Sequence, residues 1–330
     1  MPRMTLDQLQ ATYNLSFFDL LSRAHEVHDR AWPRREVQLC TLLSIKTGGC
    51  SEDCSYCAQS AHYATPVESG PLIEREEILG VARAARDNGS TRFCMGAAWR
   101  GVREADGRFQ EILDIVREVR ELGLEVCVTL GELTEAAAQR LRDAGVTAYN
   151  HNIDTSPEFY PNIVTTHTFD DRIRTIRAVQ GAGMSLCCGG IIGMGEDLVD
   201  RLRMLEVVSG FNPPPESLPI NCLVPIPGTP LQNLQRVDAF DVVRLIATAR
   251  IALPETRIRL SAGRGDMSRE TQALCFFAGA NSIFFGDRLL TTSNAAAEED
   301  LALLRELGLS PLAPFAEDDQ PHACLKEERG

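Results

Sequence analysis

Residues 124–152, LEVCVTLGELTEAAAQRLRDAGVTAYNHN, carry the fold in miniature. The runs LEVCVTL (124–130) and VTAYNHN (146–152) are short, apolar and rich in β-branched residues, and they read as strands. Between them TEAAAQRLRDAG (134–145) is amphipathic and closes on glycine after a polar last turn, the usual way a helix stops. Strand, helix and strand in quick succession make a βαβ unit, whose two strands run parallel.

The alternation continues in both directions. Upstream lie candidate strands TLLSI (41–45) and TRFCM (91–95); downstream lie MSLCCGGII (184–192), LPINCLV (218–224), RIRLS (257–261) and NSIFFG (281–286). Helix-like segments such as REEILGVARAARDNG, FQEILDIVREVRELG and FDDRIRTIRAVQGAG fill the gaps, and GDMSRETQALCFFAGA after the seventh strand is helical again. Eight strands is the count that closes a parallel α/β barrel of the (β/α)8 TIM type, and residues 41–310 have the right length for one. An open doubly wound sheet is the second choice. Residues 1–40 read as an N-terminal helical extension opened by a Thr5–Gln8 capping box. The tail, 311–330, is polar and proline-rich and is expected to be poorly ordered. His25 and His28, in HEVH, fall one residue short of the HExxH zinc pattern and read as solvated helix residues.

Composition narrows the function. The chain has 330 residues, 44% hydrophobic and 24% charged, with no apolar run near the ~18 residues of a membrane span. The start, MPRMTLDQLQ, lacks the apolar core of a signal peptide, so a cytoplasmic location is expected. A net charge of −13 disfavours nucleic acid and anionic membranes as partners and favours a small-molecule substrate. In a reducing compartment the eleven cysteines are not a disulfide framework, and clustered ones point to metal or catalysis. The scattered Cys40, Cys222, Cys275 and Cys324 read as small apolar fillers.

Chemically distinctive residues gather at the strands' carboxyl ends. Cys50, Cys54 and Cys57 follow the first strand; Cys94 sits near the end of the second and Cys127 within the third; Asn150 to Asp154 follow the fourth. Cys187 lies on the fifth strand, Asn221 on the sixth and Arg259 on the seventh. A barrel brings these ends to the one face where such folds build active sites. Alternation puts Glu125, Cys127 and Thr129 on one side of their strand and Arg257, Arg259 and Ser261 on one side of theirs. Of the neighbours Cys187 and Cys188, at most one faces inward.

TGGCSEDCSYCAQSAHY, residues 47–63, spaces three cysteines as Cys50-x3-Cys54-x2-Cys57. Structural zinc wants four ligands, and His62 stands at no common finger spacing. A thioredoxin-type pair would leave Cys50 idle. A 4Fe–4S cube capped by three thiolates keeps one iron open for an outside ligand.

With Tyr56 before its last cysteine, this spacing resembles the signature of the radical S-adenosylmethionine (SAM) enzymes, and GGIIGMGE (189–196) is similar to that family's glycine-rich strand. LLSIKTGGCSEDCSYCAQS, GSTRFCMGAAWR, YNHNIDTSPEFY, PINCLVPIPGTPL, RLSAGR and FFAGANSIFFGDRLLTT resemble, in that order, a sulfur-inserting branch of the family. The resemblance implies a 4Fe–4S cluster on Cys50, Cys54 and Cys57 with SAM on the open iron. It implies a second, 2Fe–2S cluster on Cys94, Cys127, Cys187 and Arg259. It also implies conversion of dethiobiotin to biotin, an electron donor such as flavodoxin or ferredoxin, and a homodimer. No catalytic residue beyond the two clusters is expected, since an unactivated C–H bond offers no acidic proton to a general base.

On the same resemblance Tyr56, Asn152, Asp154, Arg172, Gly190, Ile192 and Asn221 contact SAM, and Asn150 and Asn152 contact the substrate's ureido group. A plain turn is the other reading of 150–154, and a solvated helix charge the other reading of Arg172. Arg92 shares a strand face with Cys94 and is placed to tune the second cluster. A guanidinium offers only donors, so side-chain chemistry favours Arg259 as a hydrogen-bond donor to sulfide, against the ligand role that the resemblance assigns. The usual residue at position 188 in the family is small and polar; Cys188 departs from that, and the CxGG alignment favours Cys187 as ligand. An iron–sulfur carrier, which would need no SAM strand and no closed substrate barrel, is the alternative from another class.

Overall fold

Parallel pairing runs unbroken around a ring. The structure, a computed structural model, describes residues 3–286 and 296–313. Strands β1 (Glu36–Lys46), β2 (Arg92–Ala97), β3 (Glu125–Thr129), β4 (Ala148–Asn150), β5 (Ser185–Cys187), β6 (Gly190–Ile192), β7 (Ser217–Cys222), β8 (Arg257–Leu260) and β9 (Ser282–Phe284) follow one another, and β9 pairs back onto β1 to close the barrel. A two-residue β10 (Ser310–Pro311) adds to the start of β1.

Helices α3 (Arg75–Asp87), α4 (Gly107–Glu121), α5 (Glu135–Ala144), α6 (Phe169–Gly181), α7 (Leu198–Ser209), α8 (Ala239–Ala252) and α9 (Arg269–Phe277) connect the strands outside, and α10 (Ala297–Glu306) precedes β10. The opening βαβ stretch forms as read: the Thr134 hydroxyl accepts from the Ala137 N–H at 3.0 Å, and Gly145 ends α5 in the left-handed region at φ 106°.

Two helices precede the barrel, α1 (Leu6–Tyr13) and α2 (Phe17–Ala31), and they pack on α7 and α8. The Thr5–Gln8 capping box is present. Arg244 donates to the carbonyls of Tyr13 and Leu15 at 2.8 and 2.9 Å, tying the link between these helices to the barrel wall. Among the described residues no helix is long and apolar enough to cross a membrane.

Three expectations are corrected. Helix does not run through residue 40: it stops at Ala31, and the first strand starts at Glu36, five residues before the proposed boundary. The fifth candidate strand is two strands, interrupted at Cys188–Gly189. His28 is buried rather than solvated; desolvation, followed by the Arg250 charge, pushes its pKa down to about 4. Of the 311–330 tail, residues 314–330 lie outside the described residues, as do Cys324 and the GDRLLTT end of the last motif beyond Gly286.

The strands of the closed ring are covered on both faces. Outward side chains such as Leu39, Phe93, Val126, Tyr149 and Ile258 join the main apolar core. Inward ones form layers. At the amino ends Arg92 donates to Glu125 and Glu216, each at 2.8 Å, Arg257 donates to Glu216 at 2.7 Å and Gln38 to Glu125 at 3.0 Å. These paired charges form a plug at the barrel floor. Burial alone would raise the Glu216 pKa, but the charges of Arg92 and Arg257 hold it down at about 2.

Candidate active site

Above the plug lies a layer of sulfur. Cys94 on β2 and Cys127 on β3 stand opposite each other in register and pack together inside the barrel, with Cys187 on β5 completing the set. Arg259 reaches the same layer from β8: its Nη1 lies 3.6 Å from the Cys187 sulfur, its Nε donates to Ser282 at 2.9 Å and its Nη2 to Gln38 at 3.3 Å. Burial would lower the Arg259 pKa, but the neighbouring thiols Cys40, Cys187 and Cys94 raise it above that of ordinary arginine. Sulfur contacts divide the thiols: hydrogen bonds to their neighbours push Cys94 and Cys187 up and pull Cys127 down.

Cys187 faces inward, while Cys188 packs into the outer core, where burial pushes its pKa up to about 12. Cys40, read as a filler, also faces inward and contacts Cys94. Burial pushes its pKa up, but the hydrogen bond with Cys94 and the Arg259 and Arg92 charges pull it down to about 6.

The middle layer is made of amides. Asn150 donates to the Cys187 sulfur at 3.2 Å and accepts from Thr129 at 3.3 Å; the Asn152 carbonyl oxygen accepts from the Gly189 N–H at 3.1 Å. His151 lines the same space with its Nε2 unpartnered, and desolvation holds its pKa well below the usual value. Asn221 bridges strands, donating to the Gly190 carbonyl at 3.0 Å and accepting from the Ala262 N–H at 3.2 Å.

At the mouth stands the cysteine loop. Cys50, Cys54 and Cys57 line one cavity of about 280 Å³ together with Cys94, Cys127, Arg259, Asn150 and Asn152. The loop is tied to itself by the Cys50 N–H on the Gln59 carbonyl and the Ala61 N–H on the Cys50 carbonyl, at 2.9 and 2.7 Å. It is tied to the segment after Ile163 by Asp53, whose carboxylate accepts from the N–H groups of Thr165 and Thr166 at 2.9 and 3.1 Å and from both hydroxyls. Glu52 pairs with buried His167. His62 is exposed and turns to the Ser51 carbonyl at 3.0 Å.

Tyr56 and Arg172 both donate to Asp154 Oδ2 at 2.9 Å, and Arg172 donates to the Tyr160 hydroxyl at 2.8 Å. Arg172 is therefore not a solvated helix charge. Asp154 sits at φ 65°, a conformation that Asp tolerates, and bridges to Gly190. A Cβ on Gly190 would lie 2.1 Å from Met204 Sδ and 2.4 Å from the Asp154 carbonyl oxygen, so only glycine lets β6 run this close. The Ile192 side chain is buried in the outer core; Ile191 is the one that packs with the mouth residues Cys54, Tyr56 and Tyr160. The 99–109 loop walls an adjoining recess of about 470 Å³, with Arg108 over the Trp99 ring.

Sequence reasoning missed Cys40, Glu52, His151, Tyr160 and His167. Only HN in YNHN, flanked by the two selected asparagines, carried a usable signal.

The residues fit iron–sulfur groups by donor chemistry. Among the described residues no three His, Cys, Asp or Glu side chains surround one point as ligands of a single ion would. The mouth end of the cavity carries the three thiols of the cysteine loop, and burial pushes all of them up, Cys57 to about 11. Such thiols become thiolate ligands when a cation takes the proton's place. The orphaned His151 nitrogen and the polar lining between the two sulfur sets add a site for a polar ligand.

The chain is similar to known proteins in both sequence and fold. Residues 44–208 match the radical SAM superfamily, and residues 219–310 match the biotin and thiamin synthesis associated domain. Biotin synthase of Sorangium cellulosum is 54% identical over 94% of this chain and 89% of its own length. Biotin synthase of Beijerinckia indica is 54% identical over 91% of this chain and 94% of its own. In fold, the chain is similar to methylornithine synthase, with a TM-score of 0.78 at 20% identity, covering 95% of each chain. The FeFe-hydrogenase maturase of Carboxydothermus hydrogenoformans gives 0.80 at 18% identity, covering 98% of this chain and 79% of that one. On sequence identity along nearly its whole length, the chain belongs to the biotin synthase family of radical SAM enzymes.

Proposed function

We propose that the chain is a radical SAM sulfurtransferase that converts dethiobiotin to biotin. One observation carries the reading: the mouth thiols Cys50, Cys54 and Cys57 and the deeper thiols Cys94 and Cys127 line a single cavity, with the amides of Asn150 and Asn152 between them. In this reading Cys50, Cys54 and Cys57 hold a 4Fe–4S cluster, and Cys94, Cys127 and Cys187, with Arg259 in the fourth position, hold a 2Fe–2S cluster. When bound, the first group with SAM supplies deoxyadenosyl radicals strong enough to break two unactivated C–H bonds, and the second supplies the sulfur.

The chain's own residues bind, orient and shield. Arg172 presents a planar guanidinium suited to a carboxylate, such as the one on SAM, and is held in place by Asp154 and Tyr160. Tyr56, Asn152 and Asp154 border the space for the SAM ribose, and the Gly190–Ile192 strand with Asn221 forms the wall beside the adenine. Asn150 and Asn152 offer amide donors and acceptors matched to a ureido group, and His151, kept neutral, adds one more. Asn150 touches Cys187 directly, so an amide that grips substrate also sets its distance from the sulfur layer. Paired charges below and apolar walls keep water from a reactive carbon. A one-electron donor such as flavodoxin or ferredoxin completes the reaction.

The test is anaerobic reconstitution with isotopically labelled sulfide, followed by SAM, a reductant and dethiobiotin. Labelled biotin is expected. Deoxyadenosine without biotin, with both clusters full, would refute the substrate; no SAM cleavage at all would refute the enzyme class.

A further inference from the structure

We propose that Cys40 is a fourth thiolate donor to the auxiliary cluster, able to close its coordination in place of Arg259; this rests on the reading above that a 2Fe–2S group occupies the sulfur layer. Cys40 is fully buried on β1, yet it does not belong to the apolar layer between barrel and helices. It shares a small inner compartment with Cys94, Cys127, Ala148, Leu42 and Phe284. Cys94 stands opposite Cys127 in register, and Arg259 Nη1 lies 3.6 Å from the Cys187 sulfur, so thiols from β1, β2, β3 and β5 gather around the Arg259 guanidinium. Four thiolates are the ordinary ligand set of a 2Fe–2S cluster.

Arg259 and Cys40 approach the same point. Ser282 on β9 accepts from Arg259 Nε at 2.9 Å, and its oxygen lies 3.8 Å from the Cys40 sulfur. A group seated between Cys94, Cys127 and Cys187 is therefore within reach of either side chain. Their chemistry differs. The guanidinium is fixed over the Phe284 ring, 5.1 Å from its centroid, with Nε and Nη2 engaged by Ser282 and Gln38 and Nη1 turned to Cys187. Held this way it donates hydrogen bonds and offsets negative charge; it has no lone pair to give while protonated. A Cys40 thiolate would bring its lone pair without the deprotonation that Arg259 needs in order to bind iron, and the guanidinium would then remain as the cation beside a four-thiolate cluster.

The experiment compares the parent protein with Arg259→Leu, Arg259→Leu/Cys40→Ala and Arg259→Leu/Cys40→Ser, each reconstituted anaerobically with iron and sulfide. The readouts are iron and sulfide per chain, Mössbauer spectra that separate the two cluster types, and visible circular dichroism. Melting curves of the metal-free forms identify any variant that has lost its fold. Arg259→Leu is expected to keep its 2Fe–2S content with the spectrum of an all-thiolate cluster, and adding Cys40→Ala is expected to lower that content several-fold. Adding Cys40→Ser instead keeps size and a harder donor, so intermediate content and charge-transfer bands at shorter wavelength are expected. Equal content in Arg259→Leu with and without Cys40→Ala, or bands unmoved by Cys40→Ser, overturns the proposal alone. A parent protein that takes up iron only at the mouth overturns both the proposal and the reading on which it rests.

Discussion

Substituting Asp154→Asn keeps the side chain's shape and its tolerance of a left-handed backbone, and removes only the charge that faces Arg172. Asp154 is buried and Arg172 is 15% exposed, and both Arg172 and Tyr56 donate to the same carboxylate oxygen. Removing one partner of a buried pair costs about 3–5 kcal/mol, because the other charge is left without compensation. A neutral amide oxygen still accepts one of the two donors, and partial exposure screens the cation, so the expected loss is about 2–3 kcal/mol, at or below the low end of that range. Against a total stability of about 5–15 kcal/mol this is large. The assay is urea unfolding of the metal-free protein, followed by far-ultraviolet circular dichroism. The decisive comparison is the double variant Asp154→Asn/Arg172→Leu, which removes the stranded cation. It should be no less stable than Asp154→Asn alone, with a coupling of about 1 kcal/mol or more. If the two single losses simply add, Asp154 and Arg172 are not acting as a buried pair, and the account of how the mouth is held together fails.

Asp53→Ala deletes the carboxylate that ties the cysteine loop to Thr165 and Thr166, so anaerobic reconstitution should yield less mouth iron while the floor cluster fills as in the parent; equal filling of both would refute that role for Asp53. Glu216 is held at about 2 against an ordinary 4.5, so its contribution is complete above pH 4.5 and is lost as pH falls toward 2. The acid limb of an unfolding titration should flatten over that window in Glu216→Gln, and an unchanged slope would count against the floor plug. His28, held near 4 against 6.5, stays neutral in the folded chain while the unfolded chain takes up a proton, so stability falls on acidifying through 6.5 toward 4. Replacing it by leucine should remove that part of the pH dependence, as read from melting temperatures at pH 7 and pH 5.

Why some of this was legible in the sequence and some was not follows from where each residue sits. The helices announced themselves because their outer faces meet water: α5 and α6 show a polar stripe, a cap and a stop. A closed barrel strand has no wet face. In β1 the inward Gln38 and Cys40 alternate with the equally buried Val37 and Leu39, so periodicity offered no contrast, and EVQLC was read as the end of a helix. Cys40 had no motif around it, and only the register with β2 and β9 reveals that it points at the other thiols. The cysteine triad is local in sequence and so was visible at once. The partners that anchor it, Thr165 and Thr166 for Asp53 and His167 for Glu52, lie more than a hundred residues on. For Arg172 the sequence left a solvated charge open beside a SAM contact because FDDR opens a surface helix; its partner, Asp154, is reached only once the loop after β4 folds back over the mouth. The His28 environment likewise depends on Arg250, far along the chain.

The paired charges of Arg92, Glu125, Glu216 and Arg257 make the barrel a vessel with one neck. A group held below the mouth would be reached through the same opening as the reactant and the product. Under the function proposed above, a sulfur store at the bottom would be renewed only while the neck stands clear, so spending and restocking would alternate.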